Sequence, residues 1–305
     1  MLVARSWLGF AKETTWGTAV APSKYVPVDE FSAKDEIARI LDEGKRGIGV
    51  KDFGAFPGLK SATLRYSGAF YPDVPPWFIL GILGAVTTTG TSPNFTHNFT
   101  FAESPPSFTI HDYNGIDQRQ FAGAVVESLE LAFAVEEALR WTVSLRSKAS
   151  STATPATPTF GTTSPFLAWQ ATLTVAAQSN ARLSGFEMTM RREAIVRHTA
   201  SGSRDPSKIS GQPLEVTGRM TFFMDSLDEY DKFAQMTMPA VSLKLTQNAN
   251  TEIEILMSKC DFEDATIDRG REEVMIEVPF RAHYNTTDSG PCKITVKNQV
   301  ASYAS

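Results

Sequence analysis

The chain has 305 residues, of which 42% are hydrophobic and 21% charged, a composition typical of folded globular proteins and not of disordered ones. Its length is sufficient for two ordinary domains, and its net charge of −5 argues against a protein that binds nucleic acid through the phosphates. Cys260 and Cys292 are the only cysteines; they form neither a disulfide framework nor a zinc-ligand spacing, so a reducing compartment is expected. No signal peptide or membrane-spanning run is predicted.

The first part of the chain contains an arm, a strand, a long loop and then a strand followed by a helix. Residues 1–27 carry turn signals and are expected to form the arm, and residues 28–41 to form a strand. Residues 42–58 are a glycine-rich loop, and loops of this length are usually functional. Residues 59–70 alternate between apolar and polar, which predicts a strand with one buried face, and Asp73 is expected to cap the helix that follows.

A second hydrophobic pattern predicts a long hairpin. Residues 87–96 are rich in Thr, Gly, Pro and Asn and are interpreted as a loop, and residues 108–113 as a strand. Residues 128–135 and 139–146 then alternate on both sides of a turn at Glu136-Glu137. The hairpin would bury one face of each strand.

A stretch of Ser, Thr, Ala and Pro interrupts the globular composition at residues 149–165. Such a stretch does not bury a core of its own. It predicts a first domain with an N-terminal arm at residues 1–150, a linker at 151–164, and a second domain with a C-terminal arm at 165–305.

The second half repeats the order of the first, which indicates an internal duplication. A strand at 186–196 corresponds to residues 31–41, and a polar loop at 198–211 corresponds to the glycine-rich loop. A strand and a helix with a capping box from Ser226 to Glu229 follow, and then a hairpin with its turn at residues 269–273. The alignment places the following residues in corresponding positions: Thr63 and Thr217, Arg65 and Arg219, and Arg146 and Arg281.

No catalytic constellation is recognisable. The four histidines lack the spacing of a metal site, and the Glu-Glu pairs lie in turns where neighbouring side chains diverge. Arg191, Arg192 and Arg197 form a small basic cluster that is too isolated to be a nucleic-acid face. No enzymatic activity, metal or cofactor is therefore expected.

The opening phrase, Gly9-Phe10-Ala11-Lys12-Glu13-Thr14-Thr15-Trp16-Gly17-Thr18-Ala19-Val20-Ala21-Pro22, is followed by Tyr25-Val26-Pro27-Val28. It resembles the start of tail tube proteins of bacteriophages with long non-contractile tails, where KE-x-x-WGT-x-x-AP leads into Y-x-P-V. The likeness continues through the glycine-rich loop to Pro57-Gly58 and into the helix at residues 78–84. It covers most of the first half, and the second half by architecture only.

The resemblance implies a mainly β fold with two tandem β-sandwich or barrel-like domains, each with a short helix and a long hairpin. It also implies a structural virion protein, assembled in the bacterial cytoplasm into stacked rings, with three duplicated chains closing a pseudo-six-fold ring. The expected partners are further copies of the chain, the tape measure protein, the tail terminator, baseplate or tail-tip proteins, and double-stranded DNA that passes through the lumen. No membrane insertion is expected.

Two groups of residues are candidates for this role. The hairpins are expected to line the lumen through Ser128, Glu130, Arg140, Thr142, Ser144, Glu263, Thr266 and Glu277. The loops and both terminal arms are expected to contact other subunits or rings, through Trp16, Lys45, Arg46, Phe53, Phe56, Arg204 and Asp205. An acidic protein suits a conduit, because a continuous basic wall would retain DNA.

Two alternatives remain at this point. The chain could be another virion component, such as a tail terminator or a capsid decoration protein. It could also be a carbohydrate-binding β-sandwich or glycan hydrolase of a tail fibre, which would require exposed aromatic residues and paired carboxylates across a groove.

Overall fold

The computed structural model describes residues 5–270 and 273–303 and is mainly β, as predicted. Its two α-helices in these ranges are α1 (Pro76–Leu83) and α2 (Asp228–Ala234). The strands up to residue 153 are β1 (Trp7–Lys12), β2 (Lys24–Val26), β3 (Glu30–Asp42), β4 (Gly54–Ala69), β5 (Gly84–Thr91), β6 (Asn94–Phe101), β7 (Phe108–Tyr113), β8 (Gln118–Ala134), β9 (Arg140–Ser147) and β10 (Ser151–Ala153). The later strands are β11 (Ala171–Val175), β12 (Gln178–Asn180), β13 (Leu183–Arg191), β14 (Ala194–Arg197), β15 (Lys208–Gly211), β16 (Glu215–Phe223), β17 (Val241–Asn248), β18 (Thr251–Met257), β19 (Cys260–Phe262), β20 (Thr266–Asp268), β21 (Met275–Ala282) and β22 (Lys293–Asn298).

One large antiparallel sheet runs through both halves of the chain. Its order is β3-β4-β9-β8-β13-β16-β21, and both β19 and β20 pair with β21. The N-terminal part of the long strand β8 pairs with β7, which continues the sheet to β1 and β2. Strands β8 and β13 pair from Ser128 opposite Arg191 to Ala134 opposite Gly185. The two halves are therefore joined by main-chain hydrogen bonds and not only by a linker.

A second antiparallel sheet has the order β12-β11-β17-β18-β22-β6-β5. Strand β22, near the C-terminus, lies between β18 of its own half and β6 of the first half. The buried faces of the two sheets and α1 contribute to a continuous hydrophobic cluster, as in a β-sandwich. Every residue of α1 is buried, whereas Leu227 and Tyr230 beside and within α2 are exposed.

The two segments expected to be terminal arms are packed into the fold in the residues that the structure describes. Strand β1 pairs with β7, and its Trp7 and Phe10 are buried; Met1–Ala4 lie outside the described residues. At the other end, Tyr303 is fully buried against Trp77 and His97. Large apolar side chains at both ends explain the difference, because burying them is more favourable than exposing them on a free arm.

Several local predictions also differ from the structure. Residues 87–96 are not a loop but the centre of the β5–β6 hairpin. Asp73 accepts a bond from Val74 N, and α1 begins three residues later without a side-chain cap. The capping box at α2 is absent because Glu229 binds Arg182 and Asn180. The hairpin turn expected at residues 269–273 includes Arg271 and Glu272, which lie outside the described residues.

The segment 151–164 follows the surface of the first half. Strand β10 pairs with β8, Ala156 N donates to Gln118 Oε1, and the ring of Phe160 contacts that of Tyr25. These contacts give the Ser/Thr/Pro-rich segment a defined path.

Candidate functional site

The large sheet has one apolar and one polar face, and the polar face is continuous across both halves. Strand alternation directs Leu129, Leu131 and their counterparts into the core and the intervening polar residues outward. Ser128 lies opposite Ser144 on one side and Arg191 on the other, and Arg191 lies opposite Glu215. Residues opposite each other share a face.

All eight residues expected to line a lumen lie on this polar face. Glu130 pairs with Thr142, and Thr266 pairs with Glu277. Glu277 in turn lies 3.6 Å from Arg219. The complete set is Ser128, Glu130, Arg140, Thr142, Ser144, Glu263, Thr266 and Glu277.

Three arginines of the polar face, Arg146, Arg219 and Arg281, lie between carboxylates from neighbouring strands. Arg146 contacts Glu36 at 3.1 Å and Glu127 at 3.4 Å. Arg281 likewise contacts Glu263 at 2.6 Å and also Glu215. These pairs are partly exposed, so each contributes little to stability.

Arg219 follows the same pattern, at 3.0 Å from Glu187 on the adjacent strand. Arg65, which the sequence aligns with Arg219, lies between Ser32 and Ser144 instead. The paired carboxylates offset much of the positive charge on this face, although individual partners differ between the halves.

Strand register repeats between the two halves. Thr63 is opposite Arg146, and Thr217 is opposite Arg281. On the other side, Phe31 is opposite Tyr66, and Phe186 is opposite Met220. The residues that the sequence aligns thus occupy matching positions in matching ladders.

Each half also extends an arm beyond the sheet. The first arm is residues 37–59, formed by the ends of β3 and β4 around a tip at residues 43–53; the second arm is residues 192–213, formed by β14 and β15 around a tip at 198–207. Their ladders also match, with Arg39 opposite Pro57 and Ala194 opposite Gly211. The first arm exposes Ile37, Ile40, Leu41, Ile48, Val50, Phe56 and Leu59.

The predicted contact residues fall into three places. Lys45, Arg46, Phe53 and Phe56 belong to the first arm; Arg46 pairs with Asp42 at 2.5 Å and stacks 4.4 Å from the centre of the Phe53 ring. Arg204 and Asp205 belong to the second tip and contact Gly58 and Lys60, respectively, at the base of the first arm of the same chain.

Trp16 lies elsewhere. It packs against Gly123 and beneath Lys148 Nζ, which is 4.9 Å from its ring, so its described contacts are within its own chain.

The opening motif is organised around a buried carboxylate that sequence reasoning missed. Glu13 is 5% exposed; its Oε1 accepts from Thr109 Oγ1 at 2.8 Å and Gly123 N at 2.7 Å. Its Oε2 accepts from Ser107 Oγ at 2.7 Å and Gly17 N at 2.8 Å. Gly17 has φ +72°, a conformation that favours glycine. The Lys-Glu-x-x-Trp-Gly signature therefore closes a turn onto β7 and β8.

A second missed residue is Arg192, which is 2% exposed. Its guanidinium donates to the carbonyls of Ile82, Ala102 and Glu103 in the first half and of Gln212 in the second. Burial lowers the pKa of this guanidinium. Arg192 thus ties the base of the second arm to the end of α1.

Comparison with known families gives one match that spans most of the sequence. The model of the family described as phage tail tube protein matches residues 4–282. The chain belongs to the phage tail tube protein family. A search of curated proteins gives no match. Membership implies a structural component of the virion tail that self-assembles into a tube.

Two negative findings apply to residues 5–270 and 273–303. No helix there is both long and apolar enough to cross a membrane. No group of three or more His, Cys, Asp or Glu residues in the same ranges could hold a metal ion.

Proposed function

We propose that this tail tube protein polymerises as stacked rings whose lumen holds the tape measure protein and conducts double-stranded DNA during ejection. The protein has no enzymatic role in this proposal. Tail terminator and baseplate or tail-tip proteins would close the two ends of the polymer, and assembly would take place in the bacterial cytoplasm. The observation that carries the proposal is the continuous polar face of the large sheet, with β3 at one end of the order and β19 and β20 at the other.

The internal pairing of β8 with β13 supports lateral assembly through sheet edges. In the order of the large sheet, β8 is the last strand of the first half and β13 is the first strand of the second half. Repeating the arrangement between chains would place β19 and β20 of one copy beside β3 of another and would cover exposed edges. The units are duplicated domains at 1–150 and 165–305 joined by 151–164, so three chains would supply six units.

The polar face is then the lumen wall, with Ser128, Glu130, Arg140, Thr142 and Ser144 from the first hairpin. Glu263, Thr266 and Glu277 would contribute from the second. Arginines held between carboxylates would give DNA few unpaired cations to bind, which favours passage over retention. The two arms would make the contacts with neighbouring subunits or rings.

Electron microscopy of the purified protein tests this function. Rings or tubes with an axial channel are expected, and averaged end views count the units in each ring. A monodisperse monomer that never polymerises would refute the proposal, and glycan affinity of that monomer would favour the tail-fibre alternative. A channel lined by a continuous basic surface would contradict the argument about DNA passage.

A further inference from the structure

The second arm rests on the base of the first arm within one chain. Arg204 Nε donates to Gly58 O at 2.6 Å, and Lys60 N donates to Arg204 O at 3.0 Å. Asp205 Oδ2 lies 3.3 Å from Lys60 Nζ. The tip of the following unit is thus seated on the end of β4 in the preceding unit.

The matching registers identify the corresponding surface on the second unit. Gly58 and Lys60, at the base of the first arm, correspond to Gln212 and Leu214, at the base of the second, since Ser61 opposite Glu36 corresponds to Glu215 opposite Arg191. Gln212 and Leu214 line a groove of about 910 Å³. The groove is also lined by Phe101 and Tyr284 and by charged residues of both signs, which are Glu103, Glu193, Glu215, Arg191, Arg192 and Arg281.

We propose that this groove receives the first tip, residues 43–53, of a neighbouring copy of the chain in the same ring. The proposal rests on the proposed function. It adds which surface of one chain is bound, which segment of the neighbouring chain binds it, and in which direction around the ring the contact runs. Val50 and Lys51 precede Gly54, where the strand pairing of the first arm resumes, by the same numbers of residues as Arg204 and Asp205 precede Lys208 in the second arm. We therefore align Val50 with Arg204 and Lys51 with Asp205.

The residues of the groove differ from those of the internal contact in a way that fits this occupant. In the internal contact, the guanidinium of Arg204 comes from the incoming tip, and the acceptor has Ile37. In the groove, the position of Ile37 is taken by Arg192, whose Nε already donates to Gln212 O at 3.2 Å. The incoming tip correspondingly carries Val50 where the second tip carries Arg204. The arginine and the aliphatic residue have exchanged sides.

The charges are exchanged as well. The acceptor of the internal contact presents Lys60 to Asp205, with neutral Ala38 and Ser61 nearby. The corresponding positions in the groove are Leu214, Glu193 and Glu215. The tip expected there carries Lys45, Arg46 and Lys51 together with Glu43 and Asp52, and Lys51 lies 3.4 Å from Glu43. Ile48 and Val50 are 63% and 55% exposed in the isolated chain. Glu215 already binds Arg281, so Glu193 is the carboxylate of the groove that we pair with Lys51, and Leu214 and Tyr284 would pack against Ile48 and Val50.

Disulfide trapping with the full chain tests the contact. Val50→Cys and Gln212→Cys are introduced together; both positions are exposed, and the native Cys260 and Cys292 are buried. Mild oxidation of assembled rings should produce a ladder of cross-linked chains that ends at the number of chains in one ring. The matched control pairs Val50→Cys with Trp169→Cys, an exposed position outside the groove, and should give no ladder.

A charge reversal gives a second measurement. Lys51→Glu should raise the protein concentration needed for ring formation about five-fold, and adding Glu193→Lys should restore it. Thermal unfolding checks that both variants fold.

Three results would overturn the inference. Intact rings without a Val50–Gln212 cross-link would refute the docking and leave the proposed function standing. A ladder that continues far beyond one ring would show that the tip binds an adjacent ring instead. Absence of any rings or tubes by electron microscopy would refute the proposed function, and the docking with it.

Discussion

The carboxylate of Glu13 offers a direct test of how the opening motif stabilises the fold. Glu13→Gln keeps the size of the side chain and one acceptor oxygen, which can still accept from Thr109 and Gly123. The new amide NH₂ faces Gly17 N, another donor, and Ser107 Oγ, which can rotate to accept. The substitution therefore removes the negative charge and leaves the Gly17 N–H without an acceptor.

The expected cost follows from these four contacts. A hydrogen bond to a charged group contributes about 1.5–3 kcal/mol, and an unsatisfied buried donor costs a similar amount. Loss of one such bond and weakening of the others should lower the free energy of unfolding by about 3 kcal/mol. For a chain of this size the melting temperature should fall by roughly 5 °C.

Urea and thermal unfolding of non-assembled chains measure the effect, with tryptophan fluorescence as the readout because Trp16 belongs to the same turn. The control is Glu136→Gln, which removes a carboxylate from an exposed turn and should change the free energy of unfolding by less than about 0.5 kcal/mol. If Glu13→Gln were as stable as this control, the carboxylate would not organise the turn.

Three further outcomes are expected. Arg192→Met removes the donor to four carbonyls and should cost about 3 kcal/mol in urea unfolding, whereas Arg191→Met on the exposed face should cost far less; equal effects would contradict the clamp. Burial lowers the pKa of His97, so below about pH 6.5 the unfolded chain binds a proton more readily than the native protein does. The free energy of unfolding should therefore decrease as the pH drops below about 6.5, and His97→Gln should reduce this pH dependence. Burial also raises the pKa of the Cys260 thiol and raises that of Cys292 to about 12, so a thiol reagent at pH 8 should label neither in the native protein and both in urea; rapid native labelling would show that these thiols are accessible.

The parts of the fold that were predictable are those with local periodicity. Alternation over residues 59–70 located the buried face of β4, and the same alternation around Thr217 aligned the two halves in a register that the strand pairing reproduces. The residues expected in the lumen were identified as polar hairpin positions, and the structure places them on one face. Their role in a lumen remains a proposal.

Long-range pairing was not accessible from such patterns. Glu13 resembles an ordinary surface acid in sequence, because its donors lie up to 110 residues away. The sequence places Arg191 and Arg192 in one small basic cluster. Neighbours on a strand point to opposite sides, however, and Arg192 is buried. The one available signal for Glu13 was its place beside threonines and a glycine in the motif.

The position of β22 has a consequence for synthesis of the chain on the ribosome. Residues 293–298 fill the gap between β6 and β18, which are separated by about half of the sequence. Until translation reaches this strand, the β5–β6 and β17–β18 hairpins each have an unpaired edge. Tyr303 is also not yet packed against Trp77 of α1. Completion of the second sheet is therefore a late event, and a prematurely terminated product would lack the strand that joins β6 to β18, although β8 and β13 could still pair.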